Sequence, residues 1–166
     1  MGVLEHRKTA PASVSVGILS VSSTRTLADD ESGRWIARQA EKEGHEVRFH
    51  QVVGDDIAAI REATLKSIRD HALQALLVTG GTGITPKDVT IEAISPLFAK
   101  TMPAFGAIFA QLSYEEIDAA AILSRAAAGV IGSTVIFCMP GSKKACKLAC
   151  NALIFPDLGH VVAHAR

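Results

Sequence analysis

The chain has 166 residues, a length that is typical of one domain with a full hydrophobic core. Basic and acidic residues number 17 each, so the zero net charge excludes long-range attraction to nucleic acid or to an anionic membrane. Hydrophobic residues make up 48% of the chain, which excludes a disordered protein and predicts that some apolar surface is covered by another subunit. We therefore expect a single domain over residues 1–166, with a flexible leader at 1–12, that forms homo-oligomers.

The hydrophobic pattern predicts strands and helices that alternate along the chain. In chain order these are a strand at 14–21, a helix at 32–43, a strand at 46–53, a helix within 54–70, a strand at 75–79, helices at 86–98 and 103–117, strands at 128–131 and 134–138, and a helix at 142–153. Asp30 or Ser32 can cap the first helix, and Gly44 ends it. Gly132 and Ser133 can form a tight turn between the last two strands.

This alternation indicates an α/β fold with a mostly parallel central sheet covered by helices on both faces. Ligands of such sheets bind outside the carboxyl ends of the strands, where loops lead into helices. The loops that follow the predicted strands are therefore the candidate site.

The cysteines and two uncharged segments indicate in which cellular compartment the protein is found. Cys138, Cys146 and Cys150 are odd in number and confined to the last third of the chain, so we expect reduced thiols and a cytoplasmic protein. Residues 9–24 are uncharged, but serines alternate with the apolar residues and no cleavage site for a signal peptide follows. Residues 126–142 are interrupted by Gly, Ser and Pro, so we predict no membrane segment.

A glycine-rich loop, Thr79-Gly80-Gly81-Thr82-Gly83, follows the predicted central strand. Its backbone N–H groups can converge on an anion, because no bulky side chains obstruct them. It lacks the Lys-Ser/Thr pair of a Walker A loop, and Pro86 stands where a dinucleotide-binding loop needs its third glycine. A plain strand-to-helix turn fits the same residues.

Carboxylates stand near two of the candidate loops. Asp88 lies five residues beyond Gly83, and Asp55 and Asp56 follow the second strand. Each can cap a helix or bind Mg²⁺. The predicted fold brings Asp55 and Asp88 to the edge that carries the glycine loop, where two negative charges beside an anion site need a cation. This placement favours a metal and phosphate site at that edge, and it leaves open which of Asp55 and Asp56 takes part in it.

Two further polar insertions interrupt apolar stretches. Arg125, after Ser124, can bind a phosphate or form an ion pair, for which Glu115, Glu116 and Asp118 are the candidate partners. In the segment Pro140-Gly141-Ser142, the last two residues can present N–H groups to a ligand, or Ser142 can be an ordinary helix cap.

The spacing of Cys146, Cys150, His160 and His164 resembles that of a zinc finger. The cysteines, however, are four residues apart in a predicted helix and do not flank a hairpin, so we interpret them as small core residues. No arrangement typical of a cysteine or serine nucleophile is present.

Several motifs together resemble the MogA/MoaB family of molybdenum cofactor biosynthesis, whose fold also forms the G domain of gephyrin. The resemblance covers residues 14–155 and is closer to the MoaB branch. The matching segments are SVSSTR at 20–25, Asp30-x-Ser32-Gly33, VTGGTGITPKDVTIEA at 78–93, MPAFGAIFAQLSYEEI at 102–117, LSRAAAG at 123–129 and MPGSKKAC at 139–146.

The resemblance implies a three-layer αβα sandwich that assembles as trimers or hexamers and works with other proteins of the pathway. It implies binding of molybdopterin and MgATP and transfer of AMP to the terminal phosphate of molybdopterin, with release of pyrophosphate. Asp55 and Asp88 are then the catalytic, magnesium-binding pair. The expected substrate-binding residues are Ser22, Asp30, Ser32, Thr79, Gly80, Gly81, Thr82, Gly83, Ser124, Arg125, Pro140, Gly141 and Ser142.

Gly54 departs from the family pattern, which tends to have proline before the acidic pair. Two alternatives to the enzyme stay open at this point. One is a molybdopterin-binding protein without catalysis, and the other is a flavodoxin-like electron carrier, against which the low aromatic content of 5% counts.

Overall fold

The computed structural model describes residues 10–166. The predicted leader at 1–12 therefore lies mostly outside the described residues. Its last part packs on the C-terminal helix, where the carbonyl oxygen of Pro11 is 2.4 Å from the position that a β-carbon on Gly159 would occupy.

Within residues 10–166, six strands form one sheet in the order β2-β1-β3-β6-β5-β4. The strands are β1 (Ser15–Val21), β2 (Glu46–Val53), β3 (Ala75–Thr79), β4 (Lys100–Thr101), β5 (Ala127–Ile131) and β6 (Thr134–Met139). β2, β1, β3 and β6 are parallel, whereas β5 runs antiparallel to both of its neighbours. The sheet is thus mostly parallel, as predicted.

The helices cover both faces of this sheet. They are α1 (Glu31–Lys42), α2 (Ile57–His71), α3 (Thr90–Ile94), α4 (Pro103–Ile117), α5 (Lys143–Ala149) and α6 (Leu158–His164). One buried cluster joins the sheet to α1, α4, α5 and α6, and a second joins it to α2 and α3. Because successive strand residues point to opposite faces, Leu77 belongs to the first cluster and Leu76 to the second. The three-layer αβα sandwich is confirmed.

The predicted strands agree with the structure to within one residue, and the helix at 103–117 agrees at both ends. Ile131 pairs with Thr134 across a two-residue turn in which Gly132 has a φ of 60°, a left-handed conformation that favours glycine. Strand β4 was not predicted, because its two residues are too few to show an alternating hydrophobic pattern.

Two helix predictions were wrong in extent. The helix expected at 86–98 begins only at Thr90, because the amide of Asp88 donates to the carbonyl oxygen of Thr85 and closes a turn before it. The helix expected at 142–153 ends as α5 at Ala149 and continues as a π-turn, Cys150–Ile154. The sequence analysis missed α6, although its residues Leu158 and Val162 are buried on the core.

The strand order places a crevice beside β1. β2 lies on one side of β1 and β3 on the other, so the loops that leave β1 and β3 separate at their carboxyl ends, where ligands of such sheets bind. The loops nevertheless touch at their bases. A β-carbon on Gly80 would lie 2.3 Å from the carbonyl oxygen of Val21, and one on Gly141 would lie 3.1 Å from Cα of Gly80.

Asp30 fixes the start of α1 beside this crevice. Its Oδ1 accepts a hydrogen bond from the amide of Gly33 (2.9 Å), while its Oδ2 accepts one from Ser20 Oγ (2.5 Å) and lies 2.8 Å from His50 Nε2. Burial acts to raise the pKa of Asp30, but the hydrogen bonds from His50, Ser20 and Gly33 outweigh it and hold the pKa below its usual value. Of the two predicted caps, Asp30 is therefore the one used.

We expect Asp30→Asn to lower the free energy of unfolding by about 1–3 kcal/mol, since the variant keeps an acceptor for Gly33 but loses the buried charge that faces His50. Chemical denaturation measures this loss. Asp56→Asn is the matched control, because Asp56 is an exposed cap whose Oδ2 accepts only from the amide of Ala59. It should change stability by less than about 0.5 kcal/mol. Equal losses in the two variants would contradict the assignment.

The lowered pKa of Asp30 also makes the stability of the protein depend on pH. Because the folded pKa of Asp30 is lowered, its charge contributes stability that is fully present above the unfolded value of about 3.9 and is lost as the pH falls through the folded pKa. Denaturation curves measured between about pH 5 and pH 3 should therefore show a steeper loss of stability for the wild type than for Asp30→Asn. Parallel losses would show that Asp30 is not the group responsible.

Candidate functional site

A cleft of about 280 Å³ lies at the carboxyl edge of the sheet. It is formed by the loops that follow β1, β2, β3 and β6, together with the start of α1. Twelve of the predicted site residues line it: Ser22, Asp30, Ser32, Asp55, Thr79, Gly80, Gly81, Thr82, Gly83, Asp88, Pro140 and Gly141. The other three, Ser124, Arg125 and Ser142, are not among the residues that line it.

The glycine loop forms the floor of the cleft in a fixed conformation. Gly80 and Gly81 have φ values of 95° and 63°, which residues with a β-carbon rarely adopt. Thr90 at the start of α3 holds the loop, because its Oγ1 donates to the carbonyl oxygen of Gly80 (2.7 Å) and its amide donates to that of Gly81 (2.9 Å). Within residues 10–166 the amides of Gly81 and Thr82 make no hydrogen bond, so these donors are available to an anion.

Asp55 and Asp56 have different roles. Asp55 lines the cleft, and its Oδ2 accepts hydrogen bonds from the amide (2.8 Å) and the hydroxyl (2.7 Å) of Ser23. Its Oδ1 reaches towards the glycine loop, 3.4 Å from the position of a β-carbon on Gly81. Asp56 is the exposed cap of α2. Of the two, only Asp55 is placed to bind a ligand in the cleft.

Asp88 stands at the other side of the glycine loop. Its Oδ2 accepts hydrogen bonds from the amide (2.9 Å) and the hydroxyl (2.7 Å) of Thr85. These bonds, with smaller contributions from the Gly83 amide and the charge of Arg125, hold the pKa of Asp88 below its usual value. A β-carbon on Gly83 would lie 2.7 Å from this oxygen, so the close approach requires glycine. Asp88 is therefore ionised at neutral pH.

Asp55 and Asp88 are the two carboxylates of the cleft that could contribute to holding a metal ion. The described residues contain no group of three or more His, Cys, Asp or Glu side chains that could hold a metal ion. A cation between Asp55 and Asp88 would take its remaining ligands from substrate phosphates and water. That mixed oxygen set is characteristic of Mg²⁺ sites, which use one or two carboxylates together with phosphates.

Arg125 supports the glycine loop from outside the cleft. Its Nε donates to the carbonyl oxygens of Thr82 (2.9 Å) and Gly83 (3.1 Å), and its two terminal nitrogens bind the carboxylate of Glu92 (2.6 and 3.2 Å). The hydrogen bond to Glu92 raises the pKa of Arg125 further above its usual value. Arg125 thus forms an ion pair, which was one of the two alternatives, but its partner is Glu92 and not Glu115, Glu116 or Asp118, because the bonds to the loop carbonyls hold the guanidinium beside Glu92.

Several predicted residues join the loops to one another. Thr79 Oγ1 donates to the carbonyl oxygen of Pro140 (3.0 Å), and Ser32 Oγ donates to that of Gly141 (2.9 Å). Ser142 caps α5, accepting from the amide of Ala145 (3.2 Å), whereas Ser124 lies beside Arg125 without lining the cleft. These side chains fix the shape of the site.

Two cations that the sequence analysis missed line the cleft. Arg25 follows β1, and Lys87 directly precedes Asp88. Both are exposed, and neither side chain makes a hydrogen bond or ion pair with any residue in the described part of the chain. Their positions in the quoted segments SVSSTR and TPKDVT were a usable signal. They, rather than Arg125, supply uncompensated positive charge beside the two aspartates.

The cysteines lie in the core. Burial raises the pKa of Cys138 to about 12 and also raises the pKa of Cys146 and of Cys150, so none is an activated thiolate. None of the helices in residues 10–166 is both long enough and apolar enough to cross a membrane.

Comparisons with known proteins identify the family of this chain. The family described as "Probable molybdopterin binding domain" matches residues 17–160. Molybdenum cofactor biosynthesis protein B of Bacillus subtilis is 47% identical over 167 residues, which cover all of this chain and 98% of that protein. Molybdopterin adenylyltransferase of Pyrococcus furiosus is 38% identical over 172 residues, which cover all of this chain and 99% of that protein.

Solved structures are also similar. A crystal structure of a molybdenum cofactor biosynthesis protein B has a TM-score of 0.90 and 42% identity, over 95% of this chain and 98% of that one. The family match, the sequence identities and the similarity of the folds thus all indicate one family. The chain belongs to the family of molybdopterin-binding domains that includes the molybdenum cofactor biosynthesis proteins MoaB and MogA.

Proposed function

We propose that this protein binds molybdopterin and transfers AMP from MgATP to its terminal phosphate. The observation that carries the proposal is one cleft that combines two carboxylates, two free backbone N–H donors and two unpaired cations. A phosphorylated ligand with a bound magnesium ion would satisfy all of these groups at once. The name of the Pyrococcus furiosus relative, a molybdopterin adenylyltransferase, supports the same reaction.

The reaction needs charge neutralisation more than it needs a base. A phosphate oxygen of molybdopterin attacks the α-phosphorus of ATP, and the bond from that phosphorus to the oxygen bridging the β-phosphate breaks. Pyrophosphate leaves with the electron pair, and a new phosphoanhydride bond joins AMP to molybdopterin. The attacking phosphate is already ionised at neutral pH, since its second pKa is about 6. Catalysis therefore depends on alignment and on offsetting negative charge.

Each part of the cleft has a place in this chemistry. Asp55 and Asp88 would hold the magnesium ion, which neutralises phosphate charge when it is bound. The free amides of Gly81 and Thr82 donate to phosphate oxygens, and the glycine conformations keep those donors aligned before the substrate arrives. Lys87 and Arg25 compensate the charge that remains.

Within this family, a molybdopterin-binding protein without catalytic activity is the alternative to the enzyme. Membership of the family argues against the flavodoxin-like electron carrier. The three buried, unpaired cysteines support our proposal of a cytoplasmic location. We also propose that the protein contacts other proteins of molybdenum cofactor biosynthesis.

Asp88→Asn should lower the rate of pyrophosphate release from MgATP and molybdopterin by at least about a hundredfold, because the metal loses one of its two anionic ligands. The variant should melt like the wild type, since an amide oxygen still accepts from Thr85. Asp56→Asn is the control and should keep full activity. Normal turnover in Asp88→Asn would contradict the proposed role. A wild type that binds molybdopterin but neither binds MgATP nor releases pyrophosphate would favour the carrier.

We also propose that the protein forms a trimer or a hexamer. Large apolar side chains on α4 and the turn after it are exposed, and in a monomer they would face water. These are Ile108, Tyr114, Ile117, Ile122 and Leu123, with exposures of 45, 61, 40, 87 and 52%. Light scattering coupled to size exclusion should give three or six times the mass of one chain. A stable monomer would contradict this proposal.

A further inference from the structure

Two depressions meet at the carboxyl edge of the sheet. The first is the cleft described above, and the second is a groove along the end of β2, here called the side groove. Four residues line both of them: Ser22, Ser23, Arg25 and Val52. The loop after β1 is therefore the junction between the two.

The size of the cleft argues that the side groove is needed. Its volume of about 280 Å³ is at the lower end of the roughly 300–1,000 Å³ of small-molecule sites. The proposed reaction brings together two phosphorylated molecules that each carry a heterocycle. A cleft of this size is too small to hold both molecules, so one of the two substrates requires a neighbouring space.

The side groove has the chemistry that a flat heterocycle requires. Leu27, with 49% of its surface exposed, and Val53 provide apolar contact. The exposed amide of Gln51 offers both hydrogen-bond donors and an acceptor, which match the mixed edge of a pterin ring. A pterin in this groove would direct its phosphate towards the junction.

We propose that Arg25 binds the two reacting phosphates together: the attacking phosphate of molybdopterin from the side groove and the α-phosphate of ATP from the cleft. This inference rests on the proposed function and assigns a catalytic residue to it. Two phosphates repel each other on approach, and a guanidinium between them offsets that repulsion while fixing both oxygens in a planar fork.

Arg25 is the cation whose position fits this role. It borders both depressions, its side chain is exposed, and no described residue neutralises it. Its backbone amide donates to Ser22 Oγ (3.2 Å), which ties the residue to the end of β1. Lys87 borders the cleft but not the side groove, and Arg125 is already paired with Glu92.

Three single variants distinguish the contributions of the cleft, the side groove and the junction between them. Lys87→Met alters only the cleft, Gln51→Leu alters only the side groove, and Arg25→Met alters the junction. None of the three side chains makes a hydrogen bond or ion pair within residues 10–166, so the variants should melt like the wild type. Calorimetric titration with MgATP alone and with molybdopterin alone measures binding without turnover, and pyrophosphate release at saturation gives kcat.

We expect Lys87→Met to weaken MgATP binding about tenfold and leave molybdopterin binding unchanged, and Gln51→Leu to do the reverse. Arg25→Met should weaken both and lower kcat by about a hundredfold at saturation. Weakening of one substrate only, or an unchanged kcat, would overturn the assignment of Arg25. Absence of pyrophosphate release in the wild type would instead refute the proposed function, while the two titrations would still decide whether Arg25 contacts both ligands.

Discussion

The close contact between Gly80 and the carbonyl oxygen of Val21 is the constraint on which the site depends. It brings the loop after β3 against the loop after β1, and a β-carbon at residue 80 would separate them. Gly141 packs on Gly80 from the loop after β6, and Ser32 ties that loop to α1. The floor of the cleft is thus an assembly of backbone segments, and the side chains around it only complete the site.

Charge in this protein is arranged locally. The chain has no net charge, so no long-range field guides a phosphorylated substrate to it. Within the cleft, by contrast, two aspartates, two unpaired cations and two free amides line the same space. Asp30 is hydrogen-bonded to His50 and Arg125 is paired with Glu92, and these contacts hold the surrounding elements in place. The site therefore separates charges that support the fold from charges that are open to a ligand.

The sequence predicted the sheet, the edge that carries the site and most of the residues that line it, because strand periodicity and parallel connections determine where loops emerge. It could not tell which charges would be neutralised. The residues around Arg125 left a phosphate ligand and an ion pair equally open, because its actual partner Glu92 is 33 residues away and no local pattern links them. Arg25 and Lys87 stand in segments that resemble the family, but whether a cation stays unpaired depends on what the rest of the fold leaves nearby. The helix predicted at 86–98 was too long for a different reason, since a local turn closed by the bond from the Asp88 amide to the Thr85 carbonyl oxygen precedes it.

The proposed function of this protein is the transfer of AMP from ATP to molybdopterin. The most direct measurement uses ATP that carries radioactive phosphorus at its α-position, incubated with magnesium, molybdopterin and the wild-type protein under anaerobic conditions. The account predicts that the label moves to molybdopterin and that one pyrophosphate is released for each label transferred. Label that stays in ATP, or that appears only as free AMP, would contradict it.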